Sequence, residues 1–420
     1  MRRVVVTGLG IWSCLGQDLL TVTESLRQGR SGIVFDPKRI EYGLQSGLVG
    51  NVPIPDVKAE LQRYFRDKMS DDGMYAYCAA KQALTFAHVV TDEYLLKNSM
   101  GILWGNDGNP SEISHFYTDY KNIELSPSLF YRYHTSSTTS NLANIFGLHG
   151  ISLTIEAACA SSSHAIGLAL MFIRTGMQDT ILVGGSCSTN KESAIAIDAA
   201  TALSLRNNDP LHASRPFDKG RDGFVMSGGA AALVLEEYGH AVARGATILA
   251  EVVGYGFSSN GVEEISMPSA YGEYIAMKRA LDDAGLLPSD IDYINAHATS
   301  TIAGDIEEAK ALTRLFVDGN TLITHHSSLI NRKPFISSTK SMTGHENWMA
   351  GASEAVYSIL MMQNNFVAPN INLENVIDEA KDLNIARGTI YTPIRIVLSN
   401  SSGMGGTNSA LVLRKIENGK

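Results

Sequence analysis

Cys159 stands in the stretch Glu156-Ala-Ala-Cys-Ala-Ser-Ser-Ser-His164, where a strand-like run gives way to an apolar helical pattern. Upstream, residues 151–155 (Ile-Ser-Leu-Thr-Ile) alternate as a strand does. Downstream, Ala165, Leu168, Ala169 and Phe172 mark one helical face and Ile166, Leu170 and Ile173 another, the pattern of a helix buried all round. A cysteine at the amino end of such a helix meets unpaired N–H groups and the positive end of the helix dipole. Both favour a thiolate, the nucleophilic form. Taken alone, the same cysteine reads as an inert core residue, since free cysteines are commonly buried.

Three stretches of the second half share one form, a strand ending in polar residues beside a glycine turn. In residues 293–312 (YINAHATSTIAGDIEEAKAL) a strand delivers His297, Thr299 and Thr301 follow, and Asp305 caps a helix with Glu308 three residues on, as in a capping box. In residues 335–360 Lys340 and His345 flank Gly344 ahead of a helix. In residues 397–415 a glycine-rich turn joins two strands. Each admits a plain structural reading: a hydrogen-bonded histidine, a solvated lysine, a simple hairpin. A phosphate cradle is excluded, because neither Walker A nor dinucleotide-binding spacing is present.

These groups need a frame of alternating strands and helices, and the chain supplies one. Strand-like runs at 4–8, 180–184, 230–235, 248–254, 293–296 and 394–399 alternate with helical stretches, which predicts an α/β protein with buried sheets. The 38 glycines fall largely in turns beside these strands, and Gly8 and Gly10 mark the end of a first strand. A soft boundary falls near residue 250, dividing 1–250, with the cysteine, from 251–420, with the histidines, the lysine and the glycine loop. The 420 residues, 44% hydrophobic and 18% charged, describe an ordinary globular protein. A net charge of −9 argues against general nucleic-acid binding, and no apolar run reaches membrane-spanning length. Cys14, Cys78, Cys159 and Cys187 lack metal-ligand spacing and are too sparse for a disulfide framework, so a reducing cytoplasm is expected.

Order and spacing together are more specific than any one motif. The series VVVTGLG, LRQGRSGI, KMSDDGMYAY, ACASSSHAIG, ASRPFDKGRDGFVMSGGAAALVLEE, NAHATST, STKSMTGH and SNSSGMGGTN resembles the β-ketoacyl-acyl-carrier-protein synthases of the I/II type, within the thiolase-fold superfamily. The resemblance runs from Arg3 to about Lys415. It implies an α/β thiolase-like fold, two similar halves in α-β-α-β-α layers, usually as a homodimer. It also implies Cys159 as acyl acceptor, His297 and His345 completing a Cys-His-His centre, and Lys340 supporting it, paired with Glu308. Thr299 and Thr301 would line the phosphopantetheine tunnel, and the N–H groups of Cys159 and Met404 would form an oxyanion hole. The reaction implied is decarboxylative condensation of an acyl thioester with malonyl-carrier protein. It needs no metal or redox cofactor, the phosphopantetheine arriving on the carrier.

The chain departs from that family at two places. Members carry Asn-Ser-Phe-Gly-Phe-Gly-Gly where residues 400–406 read Asn-Ser-Ser-Gly-Met-Gly-Gly, so Ser402 and Met404 replace two gate aromatics and leave more room. Ala298 replaces a glycine after His297. Residues 324–334 (THHSSLINRKP) read as a surface loop without chemistry. The altered gate keeps open a specialised polyketide or aryl-polyene ketosynthase. A chain-length-factor partner subunit would lack the active cysteine, a thiolase would carry a second cysteine in the glycine loop, and carrier-priming type III synthases use Cys-His-Asn. An acidic carrier protein requires a basic landing patch, for which Arg63, Arg66 and Lys68, with Arg206, are the candidates.

Overall fold

A computed structural model describes residues 1–89, 94–95, 98–108, 127–261, 264–318 and 333–416. Most of the 324–334 loop therefore lies outside the described residues. In chain order the first half contains β1 (Val4–Trp12), α1 (Asp71–Ala87), β2 (Met100–Gly105), β3 (Ser152–Ile155), α2 (Ser161–Arg174), β4 (Thr180–Cys187) and β5 (Gly229–Glu237). The second contains β6 (Ala250–Ser259), α3 (Ala270–Ala284), β7 (Tyr293–Asn295), α4 (Ile302–Thr313), β8 (Phe335–Ser337), α5 (Ala350–Asn364), β9 (Ile396–Gly403) and β10 (Thr407–Arg414).

All ten strands join in one sheet, ordered β8-β7-β9-β10-β6-β1-β5-β4-β2-β3. Read outward from β1 the first half runs 1-5-4-2-3, and outward from β6 the second runs 6-10-9-7-8. Each half pairs its first strand antiparallel to its last, and carries its two outermost pairings parallel. The topology is therefore repeated. The halves are stitched through the sheet by β1 and β6 at Val5↔Glu251 and Val6↔Ala250.

Alternation along the strands decides the layers. On β5, Ala231, Leu233 and Leu235 face one core while Ala230, Ala232 and Val234 face another. On β10, Leu411 and Leu413 share that first core, and Ala410 and Val412 face a third. The shared core holds α2 and α5, the second is covered by α1, and the third by α3 and α4. Five layers result, α-β-α-β-α, the thiolase-like arrangement. The α2 helix is buried along Ala165, Ile166, Ala169, Leu170 and Ile173, but Met171 is 47% exposed, so the burial is not complete all round.

Several glycines sit inside strands rather than in turns, and Gly8 and Gly10 do not end β1, which continues to Trp12. Helices lie directly on these strands. A Cβ on Gly10 would come 1.9 Å from the Ala79 carbonyl oxygen of α1, and one on Gly256 would come 2.0 Å from that of Ala276 in α3. Gly8 and Gly254 repeat the relation at 2.2 Å from Ala83 and Ala280. The same Gly-x-Gly device seats one helix in each half. Gly10→Ala or Gly256→Ala should therefore destabilise the fold by about 1–3 kcal/mol or more through overpacking. Gly388→Ala, where nothing lies within 4 Å, should be near neutral. Denaturant melts of the three variants measure this.

Candidate active site

The strand β3 ends at Ile155, and a single 3-10 turn, Ala158–Ala160, carries Cys159 onto the amino end of α2. The turn is tight. Ala158 is held at φ +47°, a left-handed conformation that costs a non-glycine residue energy. The Ser161 hydroxyl clasps it, accepting from Ala157 N at 2.9 Å and donating to Ala158 O at 2.6 Å. The small residues after Cys159 have a spatial cause. A Cβ on Gly105 would come 2.5 Å from Ser162 N, and one on Gly351 would come 2.6 Å from Ser163 N. Thus α2 runs in contact with β2 on one side and α5 on another.

The second half brings the nitrogen ligands of this sulfur. His345 Nε2 lies 3.0 Å from Cys159 Sγ. The His345 backbone is fixed by its N–H to Val225 O at 2.7 Å and its carbonyl accepting from Ser227 N at 2.8 Å. Gly344 before it has φ +71°, and a Cβ there would sit 2.7 Å from Val225 O. The His297 ring stands edge-on to His345, centroids 5.4 Å apart, and the Phe224 ring closes the other side of His345 at 5.2 Å. The backbone N–H groups of Met404 and Cys159 face the sulfur. Thus Cys159, His297, His345 and the Met404 N–H, named separately in sequence, meet at one point.

Lys340 is 1% exposed, and its ammonium pairs with Glu354, not with Glu308 as the family resemblance implied. Glu308 has other work: it accepts from His297 N at 2.8 Å, Ala298 N at 2.6 Å and Asn400 Nδ2 at 2.8 Å. It thereby fixes the end of β7 that presents His297. The capping-box reading is also corrected. The α4 helix starts at Ile302 with Thr301 as its cap residue, and Asp305 lies inside the first turn. There its carboxylate accepts from Ser300 N at 3.0 Å and Phe217 N at 2.8 Å, stabilising Ser300 at φ +72°. Glu354 escaped the sequence reading. Its signal was a lone acid inside the otherwise uncharged pattern of α5, residues 350–364.

Thr299 and Thr301 are neighbours, their hydroxyls 3.1 Å apart. Met404 points its side chain outward, 59% exposed, so only its backbone serves the sulfur. Ser402, on β9 opposite Asn408, has Glu273 of α3 facing its hydroxyl, so that side is occupied by a carboxyl rather than left as room. Arg63, Arg66 and Lys68 lie on or just after one short helix, Arg63–Arg66. Arg63 is drawn to Asp67 at 3.2 Å, and Lys68 stands 3.1 Å over the Tyr64 ring. Arg206 is apart from these contacts, its guanidinium tied to Gly220 O at 2.7 Å.

Electrostatics depart from the thiolate expectation. Burial pushes the Cys159 thiol up to about 11, overriding the opposing pull of the Met404 N–H and the Lys340 charge. Both histidines are held well below the usual imidazole range, by burial first and the Lys340 charge second. Glu354 is raised to about 7 by burial, against the attraction of Lys340. At neutral pH the site therefore contains a protonated thiol and two neutral rings. Glu354→Gln should strand the Lys340 ammonium and destabilise the fold by about 3–5 kcal/mol. Adding Lys340→Met should recover much of that loss, a non-additivity measured by a double-mutant unfolding cycle.

Comparison with known proteins agrees in sequence and in shape. Residues 1–241 match the family profile described as beta-ketoacyl synthase, N-terminal domain, and residues 249–374 match its C-terminal domain. The chain is 38% identical over 423 residues to 3-oxoacyl-acyl-carrier-protein synthase 1 of Escherichia coli, spanning 99% of this chain and 100% of that protein. A beta-ketoacyl synthase from Burkholderia phymatum superposes with a TM-score of 0.92 at 35% identity, over 99% of this chain and 100% of that one. A type II PKS ketosynthase crystallised with its acyl-carrier protein superposes at 0.85 with 28% identity, again over 99% and 100%. Among the described residues no helix is long and apolar enough to cross a membrane. Spanned by both profiles and aligned end to end with a named synthase, the chain belongs to the β-ketoacyl synthase family.

Proposed function

We propose that the protein condenses an acyl thioester held on Cys159 with malonyl-acyl-carrier protein, giving a 3-ketoacyl chain two carbons longer for fatty-acid synthesis. The observation that carries this reading is the 3.0 Å approach of His345 Nε2 to Cys159 Sγ, beside a second neutral imidazole and two converging N–H groups. In the first stage the Cys159 sulfur attacks the carrier thioester, and its proton leaves with the carrier's sulfur. The Met404 and Cys159 N–H groups sit where the tetrahedral oxyanion would form. In the second stage malonyl thioester loses CO₂, and the enolate attacks the acyl-Cys159 carbonyl, expelling the cysteine sulfur.

Neutral imidazoles suit the enolate step. Among the described residues, Nδ1 of both His297 and His345 is buried without a hydrogen-bond partner. A neutral ring in that setting carries its proton at least cost on Nε2, where it can donate to a thioester oxygen gaining charge. Burial, with the Lys340 charge adding to it, keeps both rings from protonating. The roles divide by half: residues 1–250 hold the acyl group, and residues 251–420 handle the incoming malonyl unit. We assign Thr299 and Thr301, whose hydroxyls are 3.1 Å apart, to the phosphopantetheine entry. The carrier supplies the phosphopantetheine, and no metal is needed. The homodimer reading is supported by the open edge of the sheet, where Ser152 and Leu153 of β3 are exposed, and the cytoplasm is the expected setting.

The division of labour is testable. Cys159→Gln should abolish condensation yet keep CO₂ release from malonyl-carrier protein, its amide standing in for the occupied thioester. His345→Ala should lose CO₂ release by on the order of a hundredfold, since one such donor is worth about 3 kcal/mol. His297→Ala should behave alike, and the double variant should fall short of additivity. CO₂ release at the native rate from His345→Ala would refute the assignment. For the carrier, Arg66→Glu with Arg206→Glu should raise KM for carrier-bound acyl groups far more than for a free pantetheine thioester, as steady-state kinetics on both substrates would read.

A further inference from the structure

Glu273 is 2% exposed, on the first turn of α3, and takes no part in the chemistry above. Its surroundings are fixed by backbone contacts. The Gly272 carbonyl accepts from Ser258 Oγ at 2.6 Å, and Asn408 Nδ2 donates to Ser258 Oγ at 3.2 Å, which seats this turn of α3 over β6 and β10. Asn408 is the register partner of Ser402, so Glu273 arrives over the end of β9. Glu273 Oε2 and Ser402 Oγ are both closed off from solvent. The hydroxyl faces the carboxyl, yet neither atom has a hydrogen bond of good geometry. One residue further on, a Cβ on Gly403 would lie 2.7 Å from Ala157 O and 3.2 Å from Ala158 Cβ. The end of β9 is therefore wedged between Glu273 and the turn that bears Cys159.

We propose that Glu273 is a positioning residue of this site: its buried side chain braces Ser402 and thereby sets the Gly403–Gly406 turn that aims the Met404 N–H at the Cys159 sulfur. The effect on catalysis rests on the condensing function proposed above, but the contact itself does not. Among the described residues, the charges acting most strongly on Glu273 are acidic, Glu308, Glu307 and Asp305 on α4, and the Ser402 hydroxyl opposes them. Two carboxylates sharing a dry space cannot both ionise at little cost. Burial raises both carboxyls, but at Glu308 three N–H donors and the Lys340 charge oppose the rise, whereas at Glu273 only a hydroxyl does. Glu273 is therefore the more strongly raised of the two. A larger side chain at position 402 would meet this buried acid, so residues 273 and 402 can be tested as an exchangeable pair.

The sign of the pH dependence follows. Burial raises Glu273 well above the usual carboxyl range, with the Glu308 charge adding to it. Its contribution to stability is full below the unfolded value, about 4.3, and declines as pH rises toward the folded value. Glu273→Gln keeps the shape without the proton. The melting temperature of Glu273→Gln, minus that of the native protein, should grow steadily from pH 5 to pH 8. Asp305, Glu346 and Glu354, each raised to about 7 by burial, are common to both proteins and cancel in this difference.

The second arm uses the exchange. Ser402→Phe alone should lower the melting temperature and cut condensation by about tenfold or more through overpacking. Ser402→Phe with Glu273→Ala should restore both to within about threefold of native rate. A melting difference that stays flat with pH, or a Ser402→Phe protein as stable and active alone as in the double variant, overturns the proposal. The melting arm needs no substrate, so it reports on the Glu273–Ser402 contact separately from any failure of the condensation reading.

Discussion

Burying one ammonium group without water is the constraint on which the site depends. Lys340 must have a partner, because an unpaired charge in a dry interior costs several kcal/mol, and Glu354 supplies it from α5. The same charge then acts on everything within reach. It disfavours a proton on His297 and His345, and it favours the anionic forms of Cys159 and Glu308. It does not win everywhere. At Cys159 desolvation outweighs the cation and the two N–H groups together, and the thiol keeps its proton. The protonation pattern of the site is the outcome of that contest, not of the helix amino end alone.

The repeated topology explains why two dissimilar stretches of chain converge. Cys159 follows β3, and His345 follows β8, which holds the same place in the second half. His297 follows β7 as Asn106 and Asp107 follow β2. One architectural position thus carries Cys159 in one half and His345 in the other. The inner layer of α2 and α5 brings these ends together, and it does so only because glycine and serine let backbones touch, as at Gly351 against Ser163. Burial on both faces of the sheet leaves the strand ends as the natural place for polar groups to gather.

Much of this was legible in residue pattern. The strand-like runs at 230–235 and 293–296, the helix after Cys159 and the glycine turn at 403–406 all appear where the residue pattern places them. The failures have identifiable causes. In β1 the glycines looked like a turn, because sequence does not reveal a helix lying on the strand. The Lys340 partner was misassigned because the family resemblance implied Glu308, from the stretch around His297, while Glu354 lies on the helix after Lys340 and shows itself only as an acid in an apolar run. Helix α4 was started at Asp305, since a carboxylate accepting from a preceding N–H reads the same whether it lies at the cap or inside the first turn. Ser402 read as empty space because its neighbour, Glu273, is far away in the chain.

A thiol that keeps its proton at neutral pH has a chemical consequence beyond turnover. Peroxide and other oxidants consume the thiolate, and a cysteine shifted to about 11 offers them almost none. Low-pKa cysteines trade durability for readiness. On the condensing function proposed above, a thiolate would be needed only while a thioester is bound, and burial that keeps the thiol protonated at other times would shield the sulfur from sulfenic acid formation.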